Sequence, residues 1–308
     1  EDIAALVRVP SFTGDELRAF EVCAEIAQRL GLEADLYEHD LAALRAHPEH
    51  PGEETHRTSL YGLTITRPGD GRRLGLNGHI DVVGTGTTPW QHEDPFSAAV
   101  EDGRLYGRGA VDMKAGVIAA IHAMAEADSE TEVVLHVVGS EEDGGLGTFA
   151  ALQRDANFDA ALIPEPTGFD VVCAQAGALT FKGTVNGKAA HAAERLEGES
   201  AIDRYIPIHQ RLAELEDSIN ADVTHPLMRE LRLPYPVSVG RLRAGEWSSS
   251  VPDCLFFEGR VGVPVGADPG EIMRRVQEAA GDTELEWTGG RFHPGCTEPD
   301  HPFVAAVV

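Results

Sequence analysis

Lysine is almost missing from this chain. Only Lys114, Lys182 and Lys188 occur among 25 basic side chains in 308 residues. Set against 51 acidic residues, the basic ones leave a formal net charge of −26 at pH 7. A polyanion is repelled by nucleic acid and by anionic lipid, so neither is expected as a partner. Two origins of the imbalance stand side by side. An acid-rich, lysine-poor surface suits a high-salt cytoplasm, where carboxylates hold water; an arginine-rich, GC-biased genome gives the same counts.

Cysteine is sparse too. Cys23, Cys173, Cys254 and Cys296 are far apart and no pair has CxxC spacing. That pattern signals neither a zinc ribbon nor a disulfide framework. Cys23 falls on a predicted helix, Cys173 and Cys254 on apolar strands, so buried thiols in a reducing cytoplasm are expected. The first residue is Glu1, which leaves open a leader already removed. No apolar run approaches the roughly 20 residues of a membrane span, so a soluble protein is expected. Repeats and low-complexity tracts are absent. Gly144-Gly145-x-Gly147 has no P-loop or dinucleotide fingerprint around it. A nucleotide-binding α/β protein is therefore disfavoured.

What is present is organised in two styles. Asp15 to Leu30 repeats apolar residues at helical spacing and stops at Gly31. Residues 60–66 and 73–78 predict strands, and the polar stretch 38–58 a loop with one short helix. Then come a helix at Met113 to Ala127, a buried strand at Glu132 to Gly139, a helix at Gly147 to Arg154 and a strand at Asp159 to Ile163. Alternating strands and helices imply an α/β fold with a largely parallel sheet covered on both faces. The pattern changes near Gly177. Strands at Leu179 to Asn186, Val237 to Arg243, Cys254 to Val263 and Glu284 to Trp287, with helices at Ser200 to Ile219 and Pro269 to Ala280, imply a smaller α+β sheet covered on one face. A helix start is expected at His301-Pro302.

Polar groups with metal-ligand chemistry recur where apolar runs end. His79 and Asp81 follow Leu74 to Leu76. Asp112 sits in a glycine-rich turn before a helix, Glu141 and Glu142 follow Val133 to Val138, and Glu165 lies between Pro164 and Pro166. Strand ends opening into loops are where α/β proteins place chemistry. One imidazole and several carboxylates suit a divalent transition metal such as zinc, and a two-metal site needs a bridging carboxylate. Adjacent Glu141 and Glu142 repel each other unless a cation neutralises one of them. Read alone, each group has a plainer meaning: an N-cap at Asp112, a turn cap at Asp81, an exposed acidic turn at 141–143. Asp143 is read as solvated surface or as a support for its loop.

Taken together, His79-Ile80-Asp81, Gly107-Arg108-Gly109-Ala110-Val111-Asp112-Met113-Lys114-Ala115-Gly116, Glu141-Glu142, Glu165-Pro166-Thr167 and Gly187-Lys188-Ala189-Ala190-His191-Ala192 resemble the M20 metallopeptidase family. That family includes acetylornithine deacetylase, succinyl-diaminopimelate desuccinylase, aminoacylase and glutamate carboxypeptidase. The resemblance covers nearly the whole chain in order. It implies a catalytic domain at 1–177 and 289–308, holding two Zn2+ (Co2+ or Mn2+ as substitutes). An inserted lid or dimerisation domain is implied at 178–288, with a homodimer formed through it.

The same resemblance assigns roles. His79 and Glu165 bind one metal, Glu142 the other, and Asp112 bridges both. Asp81 orients the His79 ring. Glu141 is the general base. His191 polarises the scissile carbonyl, in dimers often that of the neighbouring subunit. Arg260 is a candidate clamp for a substrate carboxylate, although many relatives carry the arginine two residues on, where this chain has Gly262. Ser249 is the other candidate substrate-binding residue, although it stands where relatives commonly have asparagine, which weakens the transfer of substrate contacts. The family closes its site with a histidine near the C-terminus. His293 and His301 lie too early for it, so that ligand is expected beyond Val308. Glu is commoner than Asp at the Glu165 position in the deacylase and desuccinylase branches. The expected activity is hydrolysis of an N-acyl amino acid, with a dipeptidase or carboxypeptidase as the alternative. A silent relative acting as a binding protein is the reading of another class, and Glu141 speaks against it.

Overall fold

A computed structural model of residues 1–308 divides into two compact units, Glu1–Asp170 and Val171–Val308. In the first, chain order runs α1 (Asp2–Val7), α2 (Leu17–Arg29), β1 (Glu33–Glu38), α3 (Leu41–Ala46), β2 (Tyr61–Arg67) and β3 (Arg73–His79). A small hairpin of β4 (Ala99–Glu101) and β5 (Arg104–Tyr106) follows, then α4 (Ala115–Glu126), β6 (Glu132–Val138), α5 (Leu146–Arg154) and β7 (Ala160–Leu162).

The five-stranded sheet has the order β1-β2-β6-β3-β7. β3 runs parallel to both β6 and β7, while β1–β2 and β2–β6 are antiparallel. The fold is α/β as expected, but its sheet is mixed rather than largely parallel. The reason lies in the 68–72 connection. A parallel crossover needs a dozen or more residues, so strands joined by so short a link run in opposite directions even with β6 between them. Central β6 is buried along Val133 to Val138. On one face Leu63, Ile65, Leu76 and Leu135 pack against Phe20, Cys23 and Ile26 of α2 and Val117, Ile121 and Met124 of α4. A smaller cluster joins α3 and α5 through Leu41, Leu44, Leu146 and Ala150.

The second unit contains β8 (Ala174–Gln175), β9 (Gly177–Asn186), α6 (Ala201–Asn220), β10 (Val237–Ala244), β11 (Cys254–Val263), α7 (Pro269–Ala280), β12 (Leu285–Phe292), β13 (Gly295–Cys296) and α8 (Pro302–Val307). Its antiparallel sheet has the order β10-β11-β9-β12. Alternate residues Leu179, Phe181 and Val185 of β9 and Leu255, Phe257 and Val261 of β11 face Tyr205, Ile208 and Leu212 of α6 and Ile272 and Val276 of α7. Ser200 caps α6 by accepting from Asp203 N–H, and Asp268 caps α7 by accepting from Glu271 N–H.

Residues 289–308 cluster with this second unit: β12 continues to Phe292, and β13 pairs with β8. All four cysteines are free thiols, but only Cys23 is buried; Cys254 opens β11 on its outward face and is exposed. Strand alternation places Cys254 opposite to the face that holds Leu255. No helix is long and apolar enough to cross a membrane.

Candidate metal centre

Glycines bring the motifs of the first unit together. A Cβ on Gly116, at the start of α4, would stand 2.2 Å from the Pro164 carbonyl oxygen. Only glycine lets the Glu165 segment lie so close to the helix that follows Asp112. A Cβ on Gly147 would stand 1.9 Å from the Gly139 carbonyl oxygen, so α5 starts directly against the end of β6.

His79 ends β3 and is 2 % exposed. Its Nε2 lies 3.0 Å from Asp112 Oδ1, 3.8 Å from Glu165 Oε1 and 3.9 Å from Glu141 Oε2. Ligand atoms of His79, Asp112 and Glu142 all fall within 4.8 Å of one another. Asp112 leaves helical geometry (φ −114°, ψ 104°) in the turn between Gly109 and α4, which projects its carboxylate. Met113 anchors that turn: its Sδ lies 3.2 Å from the His79 backbone nitrogen.

Asp81 is fully buried and does two things. Its backbone carbonyl is 3.0 Å from His79 Nδ1. A proton on Nδ1 donated there leaves Nε2 as the free lone pair facing the carboxylates. The carboxylate itself is 3.5 Å from Nδ1. It accepts instead from Glu141 N–H (3.2 Å), Glu142 N–H (3.1 Å) and Thr13 Oγ1 (3.0 Å). The sequence pointed to Asp81 as a partner of His79; its grip on the Glu141–Glu142 turn has no sequence signal.

The electrostatics are those of a cation site. Burial, then Asp81, Glu142 and Glu165, push Glu141 up to about 7 against the opposing pull of His79. Burial also raises Glu142 and Glu165. Burial works to lower His79, but Asp81, with Glu141 and Glu165, outweighs it and pushes the imidazole up to about 10, so a cation taking the Nε2 lone pair would displace a proton from it. Carboxylates crowded around one imidazole hold excess negative charge, which a divalent cation would neutralise. The residues present therefore fit a metal, and the donor types are those of zinc, manganese or cobalt sites.

Three further candidates belong to the second unit. His191 is exposed, its Nδ1 accepting from Ala193 N–H, with the Trp247 ring at 5.8 Å. The Ser249 carbonyl accepts from Ala192 N–H at 2.9 Å, so His191 and Ser249 share one loop junction. Arg260 is exposed on the outward face of β11, between Ser238 and Thr180. Two residues on, Gly262 is pressed against Tyr235, where a Cβ would meet backbone at 2.9 Å. Asp143, left open between surface and support, proves to be a buried support.

A two-unit α/β protein with an acidic cluster able to hold a metal is what this fold and cluster define. Residues 75–308 match peptidase family M20/M25/M40, and the chain belongs to that family. It is 31% identical to succinyl-diaminopimelate desuccinylase of Methylobacterium radiotolerans, over 90% of this chain and 70% of that protein. The fold is shared with the M20 family metallo-carboxypeptidase Sso-CP2 of Sulfolobus solfataricus (TM-score 0.72, 17% identity, 99% of this chain and 80% of that one). Human carnosine dipeptidase 1 is similar as well (TM-score 0.71, 15% identity, 98% and 79%).

Proposed function

We propose that the chain hydrolyses the amide bond of an N-acyl amino acid, as a deacetylase or desuccinylase does. The observation that carries this reading is Glu141, a half-buried carboxylate 3.9 Å from His79 Nε2 and beside the cluster of His79, Asp112 and Glu142. Burial raises its pKa, as suits a group that takes up a proton near neutral pH. His79 and Glu165 would hold one divalent ion, Glu142 a second, and Asp112 both; zinc is the proposed metal. Bound there, the ions would polarise the scissile carbonyl and acidify water.

Glu141 takes the proton from the attacking water and returns it to the departing amine. Asp81 holds the backbone of Glu141 and Glu142 and sets the His79 tautomer. His191 donates to the carbonyl oxygen as negative charge develops on it. Arg260 pairs with a substrate carboxylate, and Ser249, at the His191 loop junction, is a second substrate contact. Residues 178–288 act as lid and dimer domain. Its edge strand β10 presents an open ladder and exposed Leu242, a surface suited to a second copy. Free thiols throughout support a cytoplasmic setting.

The 31% identity to a desuccinylase favours an N-succinyl group. A dipeptidase or carboxypeptidase is the second reading, favoured by the two solved relatives. A panel of N-succinyl, N-acetyl and N-carbamoyl amino acids and dipeptides, run with Zn2+ or Co2+ on the full chain, separates them. Glu141→Gln is expected to lower kcat by roughly two to four orders of magnitude with metal content unchanged. Glu142→Gln is expected to lose metal. Metal loss in the first and retention in the second would reverse the assignment; full activity in both would end it. Light scattering at micromolar concentration is expected to give a dimer.

A further inference from the structure

The turn carrying Glu141 and Glu142 hangs between two buried carboxylates. Asp81 holds it by backbone N–H groups from below. Asp143 closes its other end, and Asp143 is itself gripped from four directions. Arg57 Nη2 reaches its two oxygens at 2.9 and 3.1 Å, Thr55 N–H donates to it at 2.9 Å, and Ser140 Oγ donates to Oδ1. The fourth contact is main-chain, from Glu54 N–H to the Asp143 carbonyl at 3.1 Å.

Arg57 comes from the 47–60 loop, 86 residues away. Its side chain is wholly buried. Nη1 lies 3.4 Å from Glu16 Oε1, and Nε lies 3.5 Å from Glu53 Oε2. Glu16 lies under the end of β6, where a Cβ on Gly139 would meet it at 3.1 Å. One guanidinium thus faces three carboxylates and is the only cation paired with Asp143 or Glu16. Without it, two nearly buried negative charges would flank the turn, and the 51–57 loop would hold Asp143 only through the Glu54 and Thr55 N–H groups. A buried charge stripped of its partner is strongly destabilised. The planar guanidinium turns a different nitrogen toward each carboxylate, Nη2 to Asp143, Nη1 to Glu16 and Nε to Glu53, and so fixes orientation as well as charge.

We infer that Arg57 is a positioning residue for the hydrolytic site. Acting through Asp143 and Glu16, it sets where the Glu141 and Glu142 carboxylates stand. The inference rests on the proposed roles of those two glutamates and adds to them a residue that touches neither metal nor substrate.

The test uses the full chain, with Zn2+ affinity measured by chelator competition and turnover of an N-succinyl amino acid. Arg57→Met is expected to weaken Zn2+ binding and to lower kcat, each about 10- to 100-fold, as losses of outer-shell support do. KM is expected to stay within about twofold, because the substrate is not touched. Arg57→Lys keeps the charge without the fork and is expected to fall between. If Arg57→Met does not fold, Asp143→Asn carries the same expectations and Arg57→Lys the intermediate one. In a Glu141→Gln background with saturating Zn2+, Arg57→Met is expected to cost less kcat than in the wild type, since the part that passes through Glu141 does not add. Folded variants with wild-type Zn2+ affinity and kcat overturn the inference, as does full additivity with Glu141→Gln. If Glu141→Gln itself leaves kcat unchanged, the general-base reading fails, and the Zn2+ affinity of Arg57→Met still decides whether Arg57 positions Glu142.

Discussion

A methyl group at position 147 has nowhere to go, with the Gly139 carbonyl oxygen 1.9 Å from where it would sit. Gly147→Ala must push α5 off the end of β6, and overpacking of this kind costs about 1–3 kcal/mol. Urea titration is expected to show that loss; an unshifted midpoint would contradict the packing. His39 gives a pH signature at the same scale. Burial pushes its imidazole down to about 4 from 6.5. Between those values the unfolded chain binds more protons than the folded one, so acid favours unfolding. The contribution is complete above pH 6.5 and is lost as pH falls toward 4. His39→Phe keeps a ring against Tyr37 and removes the proton site. Stability measured across that window is expected to fall less steeply in the variant; identical slopes would count against it. That His79 and Glu141 come together is legible where chemistry and strand ends coincide. Asp143 was ambiguous because its partner Arg57 lies 86 positions earlier in a loop, and periodicity carries no information about which loops meet.

Among elements, long periodic ones were read closely: β11 spans Cys254–Val263 and α6 Ala201–Asn220, each as the pattern implied. β1 was missed. Glu33, Asp35 and Glu38 make half of its six residues acidic, and as an edge strand it is nowhere fully buried. An edge strand needs charge to resist stray pairing, and that charge hides the strand from a hydrophobicity argument. Parallel and antiparallel pairing was obscured for another reason: strand order is settled by tertiary packing, which placed β6 between β2 and β3. β6 is the element whose loss would matter most. Leu135, fully buried at its centre, is expected to cost about 2–5 kcal/mol as Leu135→Ala. Removing the α6 cap with Ser200→Ala is expected to cost about 1 kcal/mol. Both are read from chemical denaturation, and a cap effect equal to the core effect would contradict this ranking.

At the scale of the whole molecule, charge dominates. A formal net charge of −26 makes the folded chain repel itself. Salt screens that repulsion over a Debye length of about 10 Å at 0.1 M and about 3 Å at 1 M. The melting temperature is expected to rise between those two concentrations of KCl. A flat or falling value would mean that ion pairs such as Arg73 with Asp155 and Glu132 outweigh the excess acid.

The scarcity of lysine also has a practical side. Lys114 is fully buried, with Nζ donating to the carbonyl oxygens of Leu6 at 3.2 Å and Val9 at 2.8 Å. Lys188 is exposed and Lys182 partly so, and both sit in the second unit. An amine-reactive dye or a coupling resin therefore meets lysine side chains only there. The unit that carries His79 and Glu141 offers such reagents no accessible lysine. Fluorophores attached through lysine would report on the second unit alone, and a chain immobilised through lysine would be tethered by that unit.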